Sequence, residues 1–304
     1  MAKANASKKK SILTPNSLDF LKNYHNTHSP VGFETSGQKV WLEYLKPYID
    51  THFTDPYGTA VGVINPDLPF KVVIEAHADE ISWFVNYITA DGLIYLKRNG
   101  GVDHQIAPAK RVLIHGKKGI VKAVFGWPAI HTRLSNPEVK EPQPKVDNLW
   151  LDCGARSKKE VENLGIKIGC VVTYEEGFDE LAHDYYIARA FDNRIGGFMI
   201  AEVARLLKEN KKKLPYSLYI VNAVQEEIGL RGAEMIARRI KPDVAIVTDV
   251  THDTTTPLIS KIIEGDIACG KGPSLATAPA IHNKLLDFVS DVADKKKIPV
   301  QWRS

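Results

Sequence analysis

Two adjacent carboxylates, Glu226 and Glu227, directly follow an apolar run that extends from Tyr216 to Val224. A glycine-containing turn and a helical apolar pattern over 233–240 come next, so the stretch is predicted to form a strand, an acidic turn and a helix. Carboxylates at the carboxyl end of a strand lie where open α/β sheets carry their chemistry. Neighbouring residues there point in different directions, so one glutamate could bind a cation while the other moves a proton. An isolated Glu-Glu pair is more often only solvated, and the other strand ends therefore decide the interpretation.

Three further predicted strands also end in polar residues. These strands, with the residues that follow them, are 71–76 with His77 and Asp79, 185–191 with Asp192, and 244–247 with Asp249. If the four strands lie in one sheet, an imidazole and several carboxylates converge, and such close like charges need protons or cations to coexist. Imidazole with carboxylates and no thiolate suits zinc, cobalt or manganese. The pattern predicts a divalent-metal site, although a single strand-end histidine or aspartate is more often a turn cap.

The composition is that of a soluble globular protein, with 304 residues of which 44% are hydrophobic and 25% are charged. The chain is long enough for one large domain or two ordinary ones. A net charge of +4 gives no reason to expect nucleic acid, and no apolar run reaches the length of a membrane span. Three widely spaced cysteines, Cys153, Cys170 and Cys269, indicate free thiols in a reducing compartment, so we expect a cytoplasmic protein.

The spacing of apolar residues changes twice along the chain. Residues 1–80 and 185–304 alternate β-branched runs with amphipathic helical patterns, which favours an α/β fold with a mostly parallel central sheet flanked by helices. Residues 81–184 consist instead of short alternating runs between Gly, Pro, Asn and Asp turns, which predicts a small β-barrel or sandwich, of which we favour the barrel. The sequence therefore predicts a discontinuous α/β domain, 1–80 with 185–304, that carries an inserted barrel domain, 81–184.

Four segments resemble, in this order, the signature segments of the glutamyl and deblocking aminopeptidase family. These are 76–81 around His77, 190–194 around Asp192, 224–233 with the Glu-Glu pair, and 247–251 around Asp249. The resemblance extends to 29–34, 100–101 and 151–155, so it covers nearly the whole chain and is specific. Members of this family are cytoplasmic dinuclear metallopeptidases that form tetrahedral dodecamers, and some carry a cellulase or endoglucanase label.

By matching position, the resemblance implies two divalent metal ions in each subunit, zinc or cobalt. Asp192 would bridge the two ions. His77 and Asp249 would complete the protein ligands of the first ion, and Glu227 would bind the second. A bridging carboxylate offsets two close cations, and a bound cation accounts for neighbouring buried carboxylates that would otherwise be costly.

The resemblance also implies a metal-dependent aminopeptidase, which removes N-terminal residues from peptides with a metal-activated water. Glu226 would be the general base that takes a proton from this water. Asp79 would hydrogen-bond the other imidazole nitrogen of His77 and fix its tautomer, while a plain turn cap is an alternative role for Asp79. The fold would be zinc-exopeptidase-like, and the PDZ-like barrel would serve assembly into a homo-oligomer, up to a dodecamer.

Two alternative functions remain open at this stage. Family members continue to a C-terminal histidine that binds the second metal, and this sequence ends at Ser304 before that position. We therefore expect low activity of this chain, and a non-catalytic assembly subunit is one alternative. Glycoside hydrolysis is the other, but it needs two carboxyl groups that face each other across a bond, and the neighbours Glu226 and Glu227 are poorly placed for that.

Overall fold

The computed structural model describes residues 12–134 and 141–304. The chain divides into two compact units, the first ending at Asp249 and the second running from Val250 to Ser304. In the part of the chain that the structure describes, no helix has the length and apolar character needed to cross a membrane.

The first unit contains a sheet, a barrel and the helices that surround the sheet. Its helices are α1 (Pro15–Asn26), α2 (Thr35–Leu45), α3 (Ile130–Arg133), α4 (Lys158–Asn163), α5 (Phe191–Glu209) and α6 (Arg231–Ile240). Its strands are β1 (Thr51–Thr54), β2 (Ala60–Ile64), β3 (Lys71–His77), β4 (Ser82–Ile88), β5 (Ile94–Asn99), β6 (Arg111–Gly116), β7 (Gly119–Gly126), β8 (Trp150–Asp152), β9 (Val171–Tyr174), β10 (Asp179–Glu180), β11 (Tyr186–Ile187), β12 (Ser217–Ala223) and β13 (Val244–Val247). Short 3-10 helices lie at Lys46–Tyr48, Val146–Asn148 and Ala182–Asp184.

The central sheet has the strand order β1-β2-β12-β3-β13. The pairs β12–β3 and β3–β13 are parallel, whereas β1–β2 and β2–β12 are antiparallel. The predicted α/β fold class is therefore confirmed. The sheet is mixed: its parallel strands β12, β3 and β13 are neighbours, and β1 and β2 form the other end of the sheet. The pair β1–β2 is antiparallel because residues 55–59, which connect the two strands, are too few for the crossover that a parallel pair needs.

The strand predicted over 185–191 is wrong in extent and in place. Only Tyr186–Ile187 is extended, and it pairs with β10 outside the central sheet. The residues that follow lack the β-branched side chains that favour strands, and the side chain of Arg189 instead donates a hydrogen bond to Glu80. Asp192 consequently lies at the start of α5 and not at the end of a sheet strand.

The barrel predicted between the two parts of the α/β segment is present. Six strands close in the order β4-β5-β8-β7-β6-β9, and every pairing is antiparallel. Its interior is a single cluster of buried hydrophobic side chains, including Trp83, Ile94, Phe125 and Leu151. The predicted domain limits, 1–80 with 185–304 and 81–184, stay a prediction.

Helices cover both faces of the central sheet. On one face α1, α2 and α5 contribute Phe20, Trp41 and Phe198 to a core shared with strand residues. On the other face α6 contributes Ile236 and Ile240. The start of α1 is capped: the Thr14 hydroxyl accepts from the Ser17 N–H at 3.1 Å, and proline occupies the first turn.

The second unit is small. It contains the helices α7 (Lys261–Glu264) and α8 (Asn283–Lys296) and a parallel pair formed by β14 (Ser274–Ala276) and β15 (Gln301–Arg303). The helix α8 begins where His282 Nδ1 accepts from the Leu285 N–H at 3.3 Å. The strand β15 follows α8 and begins at Gln301.

Candidate metal centre

The carboxyl ends of three adjacent strands form one edge of the sheet. His77 is the last residue of β3 and lies beside Ala223, the last residue of β12, in register. The turn with Glu226 follows β12, and Asp249 follows β13 by two residues. Because β3 is central and parallel to both neighbours, these side chains lie together, as predicted.

Asp192 reaches this edge from a helix. It lies in the first turn of α5 with φ −78° and ψ 111°, outside the helical region. Its carboxylate Oδ1 is 3.0 Å from His77 Nε2. Asp192 therefore lies beside His77, but it is carried by a helix and not by the end of a strand as predicted.

The ligand atoms are close enough to share one ion. Within the described ranges, one nitrogen of His77 and one oxygen each of Asp192 and Asp249 lie within 4.8 Å of one another. The distance from His77 Nε2 to Asp249 Oδ1 is 4.0 Å. Two ligands about 2.1 Å from a tetrahedral zinc ion are about 3.4 Å apart, so this set fits a divalent cation after small side-chain movements.

The charges around His77 also favour a bound cation. Burial lowers the pKa of His77, but hydrogen bonds to Asp192 and Asp79 and the charge of Glu226 raise it to about 10. Burial and then the charge of Asp192 raise the pKa of Glu227 to about 7. The site thus gathers more negative charge than its one imidazole can balance, which is the condition that a bound cation relieves.

The two glutamates of the turn have different positions. Glu226 Oε2 lies 3.7 Å from His77 Nε2, and its side chain is 27% exposed. Glu227 is not a member of the three-residue group around His77, but it is close enough to Asp192 for that charge to raise its pKa. Glu226 therefore lies beside the candidate ligands, and the Glu227 carboxylate is close enough to interact with the charge of Asp192.

Asp79 is completely buried and makes more contacts than predicted. Its two carboxylate oxygens accept from the backbone N–H groups of Glu226 and Glu227, each at 3.1 Å. Its Oδ1 is also 3.4 Å from Nδ1 of His77, a charge contact, and that nitrogen has no hydrogen-bond partner among the described residues. Asp79 thus serves both the turn and the imidazole.

A buried ion cluster lies behind the site, and sequence reasoning missed it. Glu80 Oε2 accepts from Arg189 Nε at 2.7 Å, and Glu80 Oε1 accepts from Arg194 Nη2 at 2.8 Å. Burial alone would raise the pKa of Glu80, but the charges of Arg194 and Arg189 hold it at about 2. The cluster ties the end of β3 to the start of α5. The only signal in the sequence was the position of these residues next to His77 and Asp192.

Asn193 makes a second tie between α5 and the sheet. Its Nδ2 donates to the carbonyl oxygen of Thr248 at 2.6 Å, and its Oδ1 accepts from the N–H of Gly196 at 3.1 Å. The hydrogen bond between Asn193 and Thr248 thereby keeps their chain neighbours, Asp192 and Asp249, close to each other. An asparagine next to a candidate ligand gives no sign of this in the sequence.

Comparison with known proteins places the chain in a class of peptide-bond hydrolases. Residues 58–304 match the profile of the family described as M42 glutamyl aminopeptidase. The chain belongs to the M42 glutamyl aminopeptidase family, and with it to the peptide-bond hydrolases. The family resemblance drawn from the sequence is confirmed.

Relatives and solved structures agree with this assignment. A lysyl aminopeptidase of Pyrococcus furiosus is 33% identical over 89% of this chain and 76% of its own length. The TET aminopeptidase from the marine sediment archaeon Thaumarchaeota archaeon SCGC AB-539-E09 is 29% identical, with a TM-score of 0.89 over 95% of this chain and 81% of that one. An endoglucanase structure from Thermotoga maritima is 25% identical, with a TM-score of 0.76 over 93% of this chain and 83% of that one.

Proposed function

We propose that the protein is a metal-dependent aminopeptidase that releases N-terminal residues from peptides. Membership of the family supports the aminopeptidase activity. One observation carries the metal dependence: ligand atoms of His77 on β3, Asp192 on α5 and Asp249 after β13 lie within 4.8 Å of one another. Imidazole and carboxylate groups are ligands that suit a divalent ion such as zinc or cobalt.

The proposed site holds two ions per chain. His77, Asp192 and Asp249 would hold the first ion, and Asp192 and Glu227 the second, with Asp192 as the bridge. Bound divalent ions supply Lewis acidity, which polarises the scissile carbonyl and lowers the pKa of water. Asp79, next to Nδ1 of His77, orients the imidazole so that Nε2 is directed at the ligand position.

Glu226 is the proposed general base. Its carboxylate lies beside the ligand group without belonging to it and is partly open to solvent. Burial raises the pKa of Glu226, while the charge of His77 lowers it. A carboxylate with a raised pKa accepts a proton from water more readily at neutral pH. Glu226 would take this proton at Oε2 and pass it to the leaving amine.

The test compares metal content and hydrolysis of aminoacyl anilides by wild-type protein and Glu226→Gln. We expect chelator-sensitive hydrolysis and a kcat that is about 10²- to 10⁴-fold lower in the variant, the usual contribution of a general base. Metal content should be unchanged. The matched control is Glu234→Gln, because Glu234 is an exposed glutamate of α6 paired only with Arg238. Chelator-resistant hydrolysis, or a Glu226→Gln variant with wild-type kcat, would contradict the proposal.

We also propose that the barrel is a separate assembly domain of a homo-oligomer. Several of its large apolar side chains are exposed, among them Tyr87 at 57%, Ile120 at 56% and Ile168 at 61%. Exposed apolar side chains of this size are typical of interfaces when they are contiguous. Light scattering after size exclusion tests this: Ile168→Asp should lower the mass of the assembly, and an unchanged mass for variants at all three positions would contradict it.

A further inference from the structure

Glu34 is a buried glutamate with no part in the chemistry proposed above. It precedes α2, is 5% exposed, and has no cationic partner among the contacts of the described residues. Its Oε1 accepts from the backbone N–H of Gly32 at 2.7 Å and from that of Gln225 at 3.3 Å. A buried carboxylate is costly unless it is hydrogen-bonded, so these two contacts define its role.

Glu34 and Asp79 together bind three consecutive backbone amides. Glu34 accepts from Gln225, and Asp79 accepts from Glu226 and Glu227. The turn begins in an unfavourable conformation, because Gln225 has a φ of +55° without being a glycine. A turn of this kind needs external hydrogen bonds to stay in one conformation.

The segment that carries Glu34 is itself fixed to the end of β3. The N–H of Val31 donates to the carbonyl oxygen of Glu80 at 3.1 Å, and the N–H of Glu80 donates to the carbonyl oxygen of Ser29 at 3.0 Å. The N–H of Ser29 also donates to the Glu80 carboxylate at 2.7 Å. Glu34 therefore transmits the position of β3, and so of His77, to the turn.

We propose that Glu34 is a positioning residue of the aminopeptidase reaction. By holding the amide of Gln225, it keeps the carboxylates of Glu226 and Glu227 in place relative to His77. The proposal rests on the proposed function only for its kinetic consequence, because the hydrogen bond itself can be tested without hydrolysis. Glu34 touches neither substrate nor reacting atoms.

Three substitutions of Glu34 distinguish the effect of its hydrogen bond to the Gln225 amide from the effect of its negative charge. Glu34→Gln keeps an acceptor oxygen at the same reach and removes the charge. Glu34→Asp keeps the charge but is one methylene too short to reach Gln225, and Glu34→Ala removes both. We expect Glu34→Gln to stay within about twofold of wild-type kcat, and Glu34→Asp and Glu34→Ala to lose about tenfold or more with little change in KM, since a small misplacement costs this much.

Backbone hydrogen exchange of residues 225–230 is the readout that does not depend on activity. The amides of this turn should exchange at least about tenfold faster in Glu34→Asp and Glu34→Ala than in wild type and Glu34→Gln, because exchange reports local opening. Asp55→Ala is the matched control: Asp55 is also a buried carboxylate, and its Oδ1 accepts from Tyr57, Gly58 and Thr59, each at 2.9 Å. This control should lower stability and leave kcat and exchange at 225–230 unchanged.

Three results would overturn the proposal for Glu34, and a different result would overturn the proposed function. The proposal is overturned if Glu34→Asp exchanges and turns over like wild type, if Glu34→Gln loses as much as Glu34→Asp, or if Asp55→Ala reproduces the effect. If Glu34→Ala does not fold, Glu34→Asp and Glu34→Gln still decide it. If the wild-type protein releases no residue from any peptide, the proposed function fails, and hydrogen exchange alone then decides whether Glu34 holds the turn.

Discussion

The interior of the barrel and the stretch from His77 to Glu80 at the carboxyl edge of the central sheet are both buried, but they are built from opposite kinds of side chain. The barrel interior is a continuous hydrophobic cluster that includes Trp83 and Leu151. The edge contains His77, Asp79 and Glu80, none of them more than 3% exposed. One chain thus contains an apolar core and, a few residues away, a polar one.

The difference indicates that the two regions have different roles: the barrel interior contributes stability, and the edge of the sheet positions the groups of the candidate site. Apolar contacts are non-directional and leave a barrel that tolerates changes of similar volume. Buried charges need each hydrogen bond to be made, so the edge holds its groups in one geometry. This fixed geometry suits catalysis, but the loss of a single hydrogen bond disturbs it. We therefore expect substitutions in the barrel to change stability alone and substitutions at the edge to change stability and catalysis together.

The largest effect is expected for Glu80→Ala at the edge. Removal of Glu80 leaves the guanidinium groups of Arg189 and Arg194 buried without their partner, which costs about 3–5 kcal/mol of the free energy of unfolding. Because these arginines tie α5 to β3, kcat for peptide release should also fall. Urea denaturation and anilide hydrolysis measure the two quantities.

The matched control for this prediction is Glu175→Ala in the barrel domain. Glu175 accepts from Lys122 at the surface, where the lysine side chain is 79% exposed. Such exposed pairs contribute little to the free energy of unfolding. If both substitutions lower the free energy of unfolding equally, the edge is not held by its buried charges.

The elements of the fold were largely predictable, because their signals are local. Strands β3 and β13 are runs of apolar and β-branched residues, and the barrel strands alternate between turn residues. The one strand that was misplaced, over 185–191, had no such run, and its arginine instead binds a distant glutamate. Local patterns therefore predicted elements well where hydrophobic burial determines them.

The site was predictable in its members but not in its supports. His77, Asp192 and Asp249 came from strand-end patterns and from the family resemblance, and the structure brings them together. The buried partners Glu80 and Arg194 are 114 residues apart. A charged residue in a sequence carries no sign of burial, and a single sequence does not show which distant charge will neutralise it. For this reason the ion cluster behind the site could not be predicted.

In the barrel interior, Leu151→Ala should lower the free energy of unfolding by about 3 kcal/mol, since a buried leucine leaves a cavity when it is truncated. Leu151 is 0% exposed and lies on β8. The kcat of the molecules that remain folded should be unchanged. Val124→Ala is the control, because Val124 is 39% exposed on β7 and is not among the apolar side chains proposed for the assembly surface. A loss of kcat in Leu151→Ala would mean that the barrel interior and the edge are coupled.

Acid should weaken the edge through Glu80. Its pKa is about 2 in the folded protein against an ordinary 4.5, so the folded state binds this proton less readily than the unfolded state. The ionised Glu80 carboxylate therefore contributes about 3 kcal/mol to the free energy of unfolding. This contribution is complete above about pH 4.5 and is lost as the pH falls towards 2. The difference in unfolding free energy between wild type and Glu80→Gln should shrink over this range. A constant difference would contradict the assigned pKa.

The smallest effect concerns the place where the barrel meets the edge. Gly100, directly after β5, has a φ of +88°, and a Cβ there would lie 3.2 Å from the Cβ of Glu227 and 3.2 Å from Cγ2 of Ile81. Gly169 has nearly the same φ, +86°, and a Cβ there would have no neighbour within 4 Å. The two glycines thus share a backbone conformation and differ in what surrounds them.

Alanine at either position should cost about 1 kcal/mol of stability, because both lie in the left-handed region. Only Gly100→Ala should also displace Glu227, and we expect its kcat to fall about tenfold, in line with the effect of a small misplacement. Thermal unfolding and kcat of both variants test this. Equal kcat values would mean that the barrel only borders the site, whereas a loss confined to Gly100→Ala would make the loop after β5 part of the wall that holds Glu227.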